Sequence, residues 1–321
     1  MRTLKFVYLL CFGILLATNS VNTRSPLTPD SEDNQRIYSC LNEKYKQLNT
    51  FSPIIGCEKN SRDHWLLSLD GGGARGLMHL LSLAKLESLT GKLVIDLFDG
   101  ISGTSAGGII ACLLTLPDPN NPLRPKYSAQ NLLDIIFPRR AEMFVKRWQS
   151  FGGLLGPRYE TESIKKFLHN LIEENNYKNR LLPTVLVTQD LNSYGERLLA
   201  TTDSLDFFTK DLAMATSAAP ICFEPQLVTA IDSSVSYLLI DGGAVMDNPV
   251  LAGVALLQQS YGISAEKINV LSFGTGVGSE MHSKDSLRKG GVLSWGTEVI
   301  NLCKTAQLST TDNIAKFYLG K

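Results

Sequence analysis

The most constraining feature of this sequence is an apolar run that stops at a glycine turn and is followed by apolar residues at helical spacing. The stretch WLLSLDGGGARGLMHLL, which begins at Trp65, shows this pattern first, and IDLFDGISGTSAGGIIACLLTL repeats it. Short apolar runs are typical of buried strands, whereas apolar residues three and four apart line one face of a helix. Each stretch therefore predicts a strand, a tight turn and a helix.

Further segments extend the alternation along the chain. PTVLVTQDL, RLLATT, SYLLIDGG and INVLSFGTG predict strands, and DLAMATSAAP and NPVLAGVALLQQ predict helices. Strands that alternate with helices favour an α/β fold in layers, with a largely parallel central sheet flanked by helices. We expect residues 63–321 to form this domain.

The N-terminal segment predicts export. Arg2 and Lys5 precede the apolar run Phe6–Leu16, which is too short to span a bilayer comfortably. We therefore expect a signal peptide at 1–20 and a polar extension at 21–62, and a secreted or otherwise exported protein. A membrane anchor or a buried helix is the alternative for the apolar run.

An exported protein would also allow Cys40 and Cys57, both in the polar extension, to form a disulfide bond.

The composition restricts the partners. Lys plus Arg and Asp plus Glu both number 31, so the net charge is zero and nothing global indicates nucleic acid. The cysteines and four histidines show no metal-binding spacing, and no acidic twelve-residue calcium loop occurs. These patterns predict no metal site, and a cofactor is expected only if the dinucleotide-binding alternative below holds.

The first glycine loop has two interpretations. Gly71, Gly73 and Gly76 fit G-x-G-x-x-G, and Asp96 follows at the distance of a ribose-binding acid, which indicates a dinucleotide-binding oxidoreductase. Against this, Asp70 would place a negative charge beside a bound pyrophosphate. The alternative is that the loop stabilises an anion that exists only during a reaction.

The second turn, GTSAG, fits the G-x-S-x-G nucleophile elbow. Ser105 would project from a sharp strand-to-helix turn, and Gly103 and Gly107 would leave room for it. The N-terminus of the following helix favours negative charge at that point. The pattern predicts Ser105 as a nucleophile, and a glycine-rich helix start packed against a strand is the alternative.

A serine nucleophile needs a proton acceptor. His282 lies late enough for a Ser–Asp–His order but sits in a polar stretch that we expect to be exposed. Asp241 ends an apolar strand and precedes Gly242 and Gly243, so its carboxylate can emerge beside a tight turn. Taken by itself, Asp241 could equally be a turn cap.

The motifs DGGGARG, GTSAG and DGG follow in this order, each at a predicted strand end. Together with the stretches ATSAAPICFEP, IDGGAVMDNPV and VLSFGTG, they resemble the patatin-like phospholipase family over roughly residues 64–305. The resemblance implies a patatin-like fold related to the α/β-hydrolases. It also implies a lipid acyl hydrolase of phospholipase A type that works through an acyl-enzyme intermediate.

The resemblance assigns roles to the motif residues. Ser105 would be the nucleophile and Asp241 the base, as a dyad without histidine. The residues implied for the oxyanion hole are Gly71, Gly72, Gly73 and Arg75. A catalytically silent lipid-binding protein is the remaining alternative. The expected partner is a phospholipid or another acyl lipid.

The stretch 137–151 predicts contact with a membrane surface, because it interleaves basic and aromatic side chains. Its basic residues are Arg139, Arg140, Lys146 and Arg147, and its aromatic residues are Phe137, Phe144, Trp148 and Phe151. Ala141, Phe144, Val145 and Trp148 would share one face of a helix. A helix whose apolar face packs in the core is the alternative.

Overall fold

The computed structural model describes residues 7–8, 63–153, 155–262, 264–276 and 292–319. The predicted signal peptide, apart from Val7 and Tyr8, and the predicted extension lie outside these residues. Cys40, Cys57 and His282 also lie outside them. Export and the disulfide therefore stay predictions.

The described residues form strands and helices in alternation. The strands are β1 (Val7–Tyr8), β2 (His64–Leu69), β3 (Gly100–Thr104), β4 (Pro117–Asp118), β5 (Asn121–Pro125), β6 (Thr184–Asp190), β7 (Glu196–Ala200), β8 (Gln226–Thr229), β9 (Ser236–Asp241) and β10 (Ile268–Phe273). The helices are α1 (Leu77–Thr90), α2 (Val94–Leu97), α3 (Ala106–Leu114), α4 (Ala129–Met143), α5 (Thr161–Ile172), α6 (Thr209–Thr216), α7 (Val250–Tyr261) and α8 (Val292–Tyr318).

The main sheet is mixed, with its parallel strands together. Its order is β1-β10-β2-β3-β6-β9-β8, and β7 also pairs with β6. Strands β1, β10, β2, β3 and β6 run parallel, whereas β7, β8 and β9 add antiparallel pairs. The α/β prediction with a mostly parallel, helix-flanked sheet is confirmed.

Helices cover both faces of the sheet. Leu67 of β2 belongs to a large core cluster that includes residues of α1, α3, α4, α5 and α6. The neighbouring Leu66 packs instead with Val254 of α7 and Ala315 of α8. Successive strand residues point to opposite faces, so a continuous apolar run is what a strand between two helical layers requires.

The prediction that 137–151 forms one amphipathic helix is wrong, whereas contact of this stretch with a membrane surface stays a prediction. Helix α4 ends at Met143, and Trp148 lies in a separate short 3-10 turn, so Ala141 and Trp148 share no helical face. The tertiary contacts of Phe144 compete with the helix, because its ring packs against those of Tyr159 and Phe223. Among the described residues, no helix is both long and apolar enough to cross a bilayer.

Candidate active site

Ser105 lies in the sharp turn between β3 and α3. Its φ is 55° and its ψ is −123°, a conformation that residues other than glycine rarely adopt. A Cβ atom on Gly107 would lie 2.2 Å from the Leu69 carbonyl oxygen, and one on Gly103 would lie 2.6 Å from the Gly107 carbonyl oxygen. The two flanking glycines are therefore required by close backbone packing.

A hydrogen bond joins Ser105 to Asp241. Ser105 Oγ donates to Asp241 Oδ2 at 2.6 Å, and both side chains are buried. The Gly243 amide donates to Asp241 Oδ1 at 2.7 Å. Because each carboxylate oxygen has a donor, the carboxylate is held with Oδ2 facing the serine.

The register of β6 explains why these two residues meet. Strand β3 pairs with β6 up to Val187, and β9 pairs with β6 from Thr188 onward. Thr188 lies opposite Asp241, and Val187 lies opposite Thr104, the residue before the serine. The ends of β3 and β9 are therefore adjacent, although 136 residues separate Ser105 from Asp241.

The first glycine loop lies beside the serine, and its three amides differ in whether they are already hydrogen-bonded. The Gly71 N–H donates to the Asp247 carbonyl oxygen at 3.0 Å, so it is not available to a ligand. Within the part of the chain that the structure describes, the N–H groups of Gly72 and Gly73 have no backbone acceptor, and both residues line the cavity that contains Ser105. Of the three glycine amides that the family resemblance implies for an oxyanion hole, those of Gly72 and Gly73 are therefore the ones left available to a ligand.

A structural reason explains why each of the three positions in the loop is glycine. A Cβ atom on Gly71 would lie 2.3 Å from Asp247 Oδ1, and one on Gly72 would lie 2.2 Å from Thr275 Oγ1. Gly73 has open space around it but a φ of 57°, in the left-handed region. The run of three glycines therefore reflects two close contacts and one backbone conformation.

The charged residues expected near the loop differ in their environment. Arg75 is exposed, lines the cavity and has no carboxylate within ion-pair distance among the described residues. Burial, and secondarily the Asp247 charge, raise the pKa of Asp70 well above its ordinary value. A raised pKa favours the neutral carboxyl, so the Asp70 argument against a dinucleotide site loses weight.

A different observation argues against the dinucleotide site. The Leu93 N–H donates to Asp96 Oδ2, so Asp96 caps helix α2. Arg124 binds the same carboxylate through both of its terminal nitrogens, at 2.9 and 3.1 Å. The acid that was expected to bind a ribose is thus engaged in a helix cap and an ion pair.

A cavity of about 310 Å³ opens beside Ser105 and Asp241. Apolar side chains dominate its lining, among them Leu77, Leu80, Ile110, Ile136, Ile164 and Phe167. Such a lining with a few polar groups at one place suits a ligand with a long apolar part. No group of three or more His, Cys, Asp or Glu residues in the described ranges is arranged to hold a metal ion.

A family model described as patatin-like phospholipase matches residues 67–254, more than half of the chain. The chain belongs to the patatin-like phospholipase family. The match includes the glycine loop, the serine elbow and the DGG turn, so the resemblance inferred from these motifs is confirmed. Family membership supports a general lipid acyl hydrolase activity.

Curated members of the family are similar at a modest level. Patatin-like protein 1 of Arabidopsis thaliana is 28% identical over 264 residues, which cover 72% of this chain and 63% of that protein. Patatin-15 of Solanum tuberosum is 28% identical over 285 residues, covering 80% and 72%. The chain thus spans less than two thirds of the Arabidopsis relative. The crystal structure of VipD from Legionella pneumophila aligns with a TM-score of 0.35 and 13% identity, over 71% of this chain and 52% of that one.

Sequence reasoning did not single out three residues that support the site of this patatin-like protein. Thr216, Asp247 and Thr275 contact the serine turn or the glycine loop. All three lie in stretches that carry the family resemblance, ATSAAPICFEP, IDGGAVMDNPV and VLSFGTG. The stretches could be recognised, but the contacts could not, because each joins segments far apart in the chain.

Proposed function

We propose that this protein is a lipid acyl hydrolase of phospholipase A type, which cleaves fatty acyl esters through a covalent intermediate on Ser105. The observation that carries the proposal is the 2.6 Å hydrogen bond from Ser105 Oγ to Asp241 Oδ2, at the wall of an apolar cavity. A nucleophile in contact with a base is the arrangement that covalent catalysis requires.

The first half of the reaction forms the acyl-enzyme. Ser105 Oγ attacks the ester carbonyl carbon while its proton moves to Asp241 Oδ2. The carbonyl oxygen becomes an oxyanion, which accepts hydrogen bonds from the Gly72 and Gly73 amides. Removing one such donor typically costs about 10²–10³ in kcat. The intermediate then collapses, the bond to the alcohol oxygen breaks, and the alcohol takes the proton from Asp241.

The second half releases the fatty acid. Water attacks the acyl carbonyl carbon as Asp241 accepts one of its protons, and collapse of the new oxyanion breaks the bond to Ser105 Oγ. The proton on Asp241 then returns to the serine. The hydrogen bond from Gly243 to Asp241 Oδ1 favours the same carboxylate orientation in both halves.

The lining of the cavity supports a phospholipid substrate. The apolar side chains offer a place for the acyl chain, while Arg75 and Arg140 line the same cavity as the serine. Neither arginine has a carboxylate partner among the described residues, although Arg140 Nη1 donates to the Phe137 carbonyl oxygen. The positive charge of both is therefore not neutralised and can attract an anionic headgroup.

The loop between α4 and α5 supports contact with a lipid surface, in place of the helix expected there. Trp148, Phe151 and Leu155 are exposed by 81%, 68% and 75%. At the base of this loop, the backbones of Lys146 and Tyr159 form an antiparallel β-bridge, and Tyr159 lines the cavity. We therefore propose that the side chains of this loop contact the membrane. Because the loop lies next to the cavity, an acyl chain can pass directly from the membrane surface into the cavity.

The test is hydrolysis of phosphatidylcholine vesicles by the pure protein with a chelator present, together with labelling by a fluorophosphonate and mapping of the labelled peptide. We expect fatty acid release, a label on Ser105, and loss of both in Ser105→Ala. Loss of activity with the chelator would contradict the metal-free mechanism. Vesicle binding with neither hydrolysis nor label would indicate a silent lipid-binding protein instead.

A further inference from the structure

We propose that Thr275 is a positioning residue, whose hydroxyl sets the direction of the Gly72 N–H toward the oxyanion. The inference rests on the proposed acyl hydrolysis and assigns a role to a residue 204 positions away from the glycine it holds. It follows from the geometry of one peptide unit.

The carbonyl of Gly71 and the N–H of Gly72 belong to the same peptide bond. A trans peptide is planar, so these two groups point in opposite directions. Thr275 Oγ1 donates to the Gly71 oxygen at 2.7 Å. The Gly72 N–H must therefore point away from the threonine oxygen.

That opposite side is the one where the reaction would occur. Gly72 lines the cavity together with Ser105, whereas Thr275 is buried behind the loop and does not line it. The position at which a Cβ atom would stand on Gly72 is filled by Thr275 Oγ1. The threonine thus supports the loop from behind while the amide faces forward.

The loop needs such a support because glycines lie on both sides of the peptide. Glycine enters regions of φ and ψ that other residues avoid, so a Gly–Gly peptide can rotate at little cost. A rotated peptide would turn the Gly72 N–H away and bring the Gly71 carbonyl oxygen toward the oxyanion. The partial negative charge of that oxygen would repel the oxyanion.

One hydrogen bond opposes this rotation directly, because the Gly71 carbonyl belongs to the rotating peptide and accepts from Thr275. The Gly71 N–H belongs to the preceding peptide, and its bond to the Asp247 carbonyl oxygen fixes that neighbouring unit. Thr275 itself lies two residues after Phe273, whose carbonyl oxygen accepts from the Asp70 N–H at 3.0 Å. The support is therefore built on the end of β10, a rigid element.

The test compares Thr275→Val, which keeps the shape and removes the donor, with Thr275→Ser, which keeps the donor. kcat and KM are measured on a soluble short-chain aryl ester, and the affinity is measured for a trifluoromethyl ketone, which forms a tetrahedral oxyanion on the serine. For valine we expect kcat to fall by about 10-fold to 100-fold, since the whole donor is worth about 10²–10³. KM should stay within about twofold of the wild-type value, and the affinity for the ketone should fall in parallel with kcat. In the Thr275→Ser variant, kcat should stay within about threefold of wild type.

Melting temperatures accompany these measurements, and Thr275→Ala removes the donor without branching if the valine variant does not fold. An active wild type with unchanged kcat in the valine variant would overturn the inference and leave the proposed function standing. Equal losses in the valine and serine variants would also overturn it, because they would indicate packing rather than the hydroxyl. A wild type with neither turnover nor label would reject the proposed function itself.

Discussion

The Thr216 hydroxyl accepts a hydrogen bond from the Ser105 amide at 3.0 Å. The same oxygen donates to the Val187 carbonyl at 2.7 Å, so one side chain connects the serine turn to the central strand β6. Residue 187 is also where the pairing of β6 changes from β3 to β9. The threonine is thus bonded to β6 next to the point where this strand changes its partner, and where the chain approaches Ser105 and Asp241.

Thr216→Val should destabilise the fold, because it removes the hydrogen bonds that the Ser105 N–H and the Val187 carbonyl make to the threonine hydroxyl. Each unsatisfied group costs about 1–3 kcal/mol. Urea denaturation should show a lower midpoint, and turnover should fall because the serine turn is no longer held. Thr216→Ser keeps the hydroxyl and should stay close to wild type in turnover. Equal stability of wild type and the valine variant would contradict the prediction.

Asp241→Asn should abolish turnover without unfolding the protein. Asparagine can still accept the hydrogen bond from Gly243 through its carbonyl oxygen, but it cannot take the serine proton. Loss of a general base costs about two to four orders of magnitude in kcat. His282→Ala should change kcat by less than about threefold. The reverse ranking, measured on the same ester, would indicate a Ser–Asp–His triad.

Gly107→Ala should be far more disruptive than Gly91→Ala. A Cβ atom on Gly107 meets backbone at 2.2 Å, whereas Gly91 has open space and only a positive φ of 66° at the end of α1. We expect roughly 1–2 kcal/mol of destabilisation for the positive φ at Gly91. The collision at Gly107 should cost more than this. Urea midpoints and soluble yield measure the difference, and similar midpoints would show that the elbow can relax.

His79 should make stability depend on pH in the acid range. Burial lowers the pKa of His79 from 6.5 to about 4, so between these values the unfolded chain binds a proton that the folded chain does not. Stability should therefore decrease as the pH falls from 6.5 to 4, by on the order of 3 kcal/mol. His79→Leu cannot titrate and should show a shallower decrease. A slope that is equal in both proteins would assign the effect to other groups.

The exposed loop should determine binding to anionic vesicles. Leu155→Ser on the loop removes an apolar contact, whereas Leu123→Ser on β5, which is also exposed, provides a matched control. We expect weaker binding for the first variant and unchanged binding for the second. Raising the salt should weaken binding of both, since the Debye length falls from about 10 Å at 0.1 M to about 3 Å at 1 M.

Only some of the basic residues near the loop are expected to attract an anionic membrane, because others are already paired with carboxylates. Arg139 is paired with Glu142 at 2.8 Å and Arg147 with Glu224 at 3.2 Å. Lys146 and Arg158 have no carboxylate within ion-pair distance among the described residues. Replacing Lys146 and Arg158 together should therefore weaken binding more than replacing Arg139 and Arg147. Equal binding by all these variants would mean that the loop does not contact the membrane.

Sequence reasoning succeeded where a structural feature depends on neighbours in the chain. A glycine after an apolar run at helical spacing indicates a helix end, and α1 does end before Gly91, which adopts the left-handed conformation that glycine allows. It failed at 144–151, where helical spacing of apolar residues predicted a longer helix. There the Arg147 N–H bonds to the Arg158 carbonyl oxygen instead of to the preceding turn. A residue eleven positions later thus decided the conformation, which no local pattern could indicate.

In the candidate site, too, some features depend on neighbours in the chain and others on contacts between distant segments. The sequence by itself determined the class of fold and the positions of Ser105, Asp241 and the glycine loop, because strands, turns and helices follow from residue spacing and from where glycine occurs. Only the tertiary structure decided that Asp241 meets Ser105, that the Gly71 amide is occupied, and that Thr275 holds the loop from behind. These contacts depend on the register of paired strands, and register is set by the packing of the whole sheet against its two helical layers.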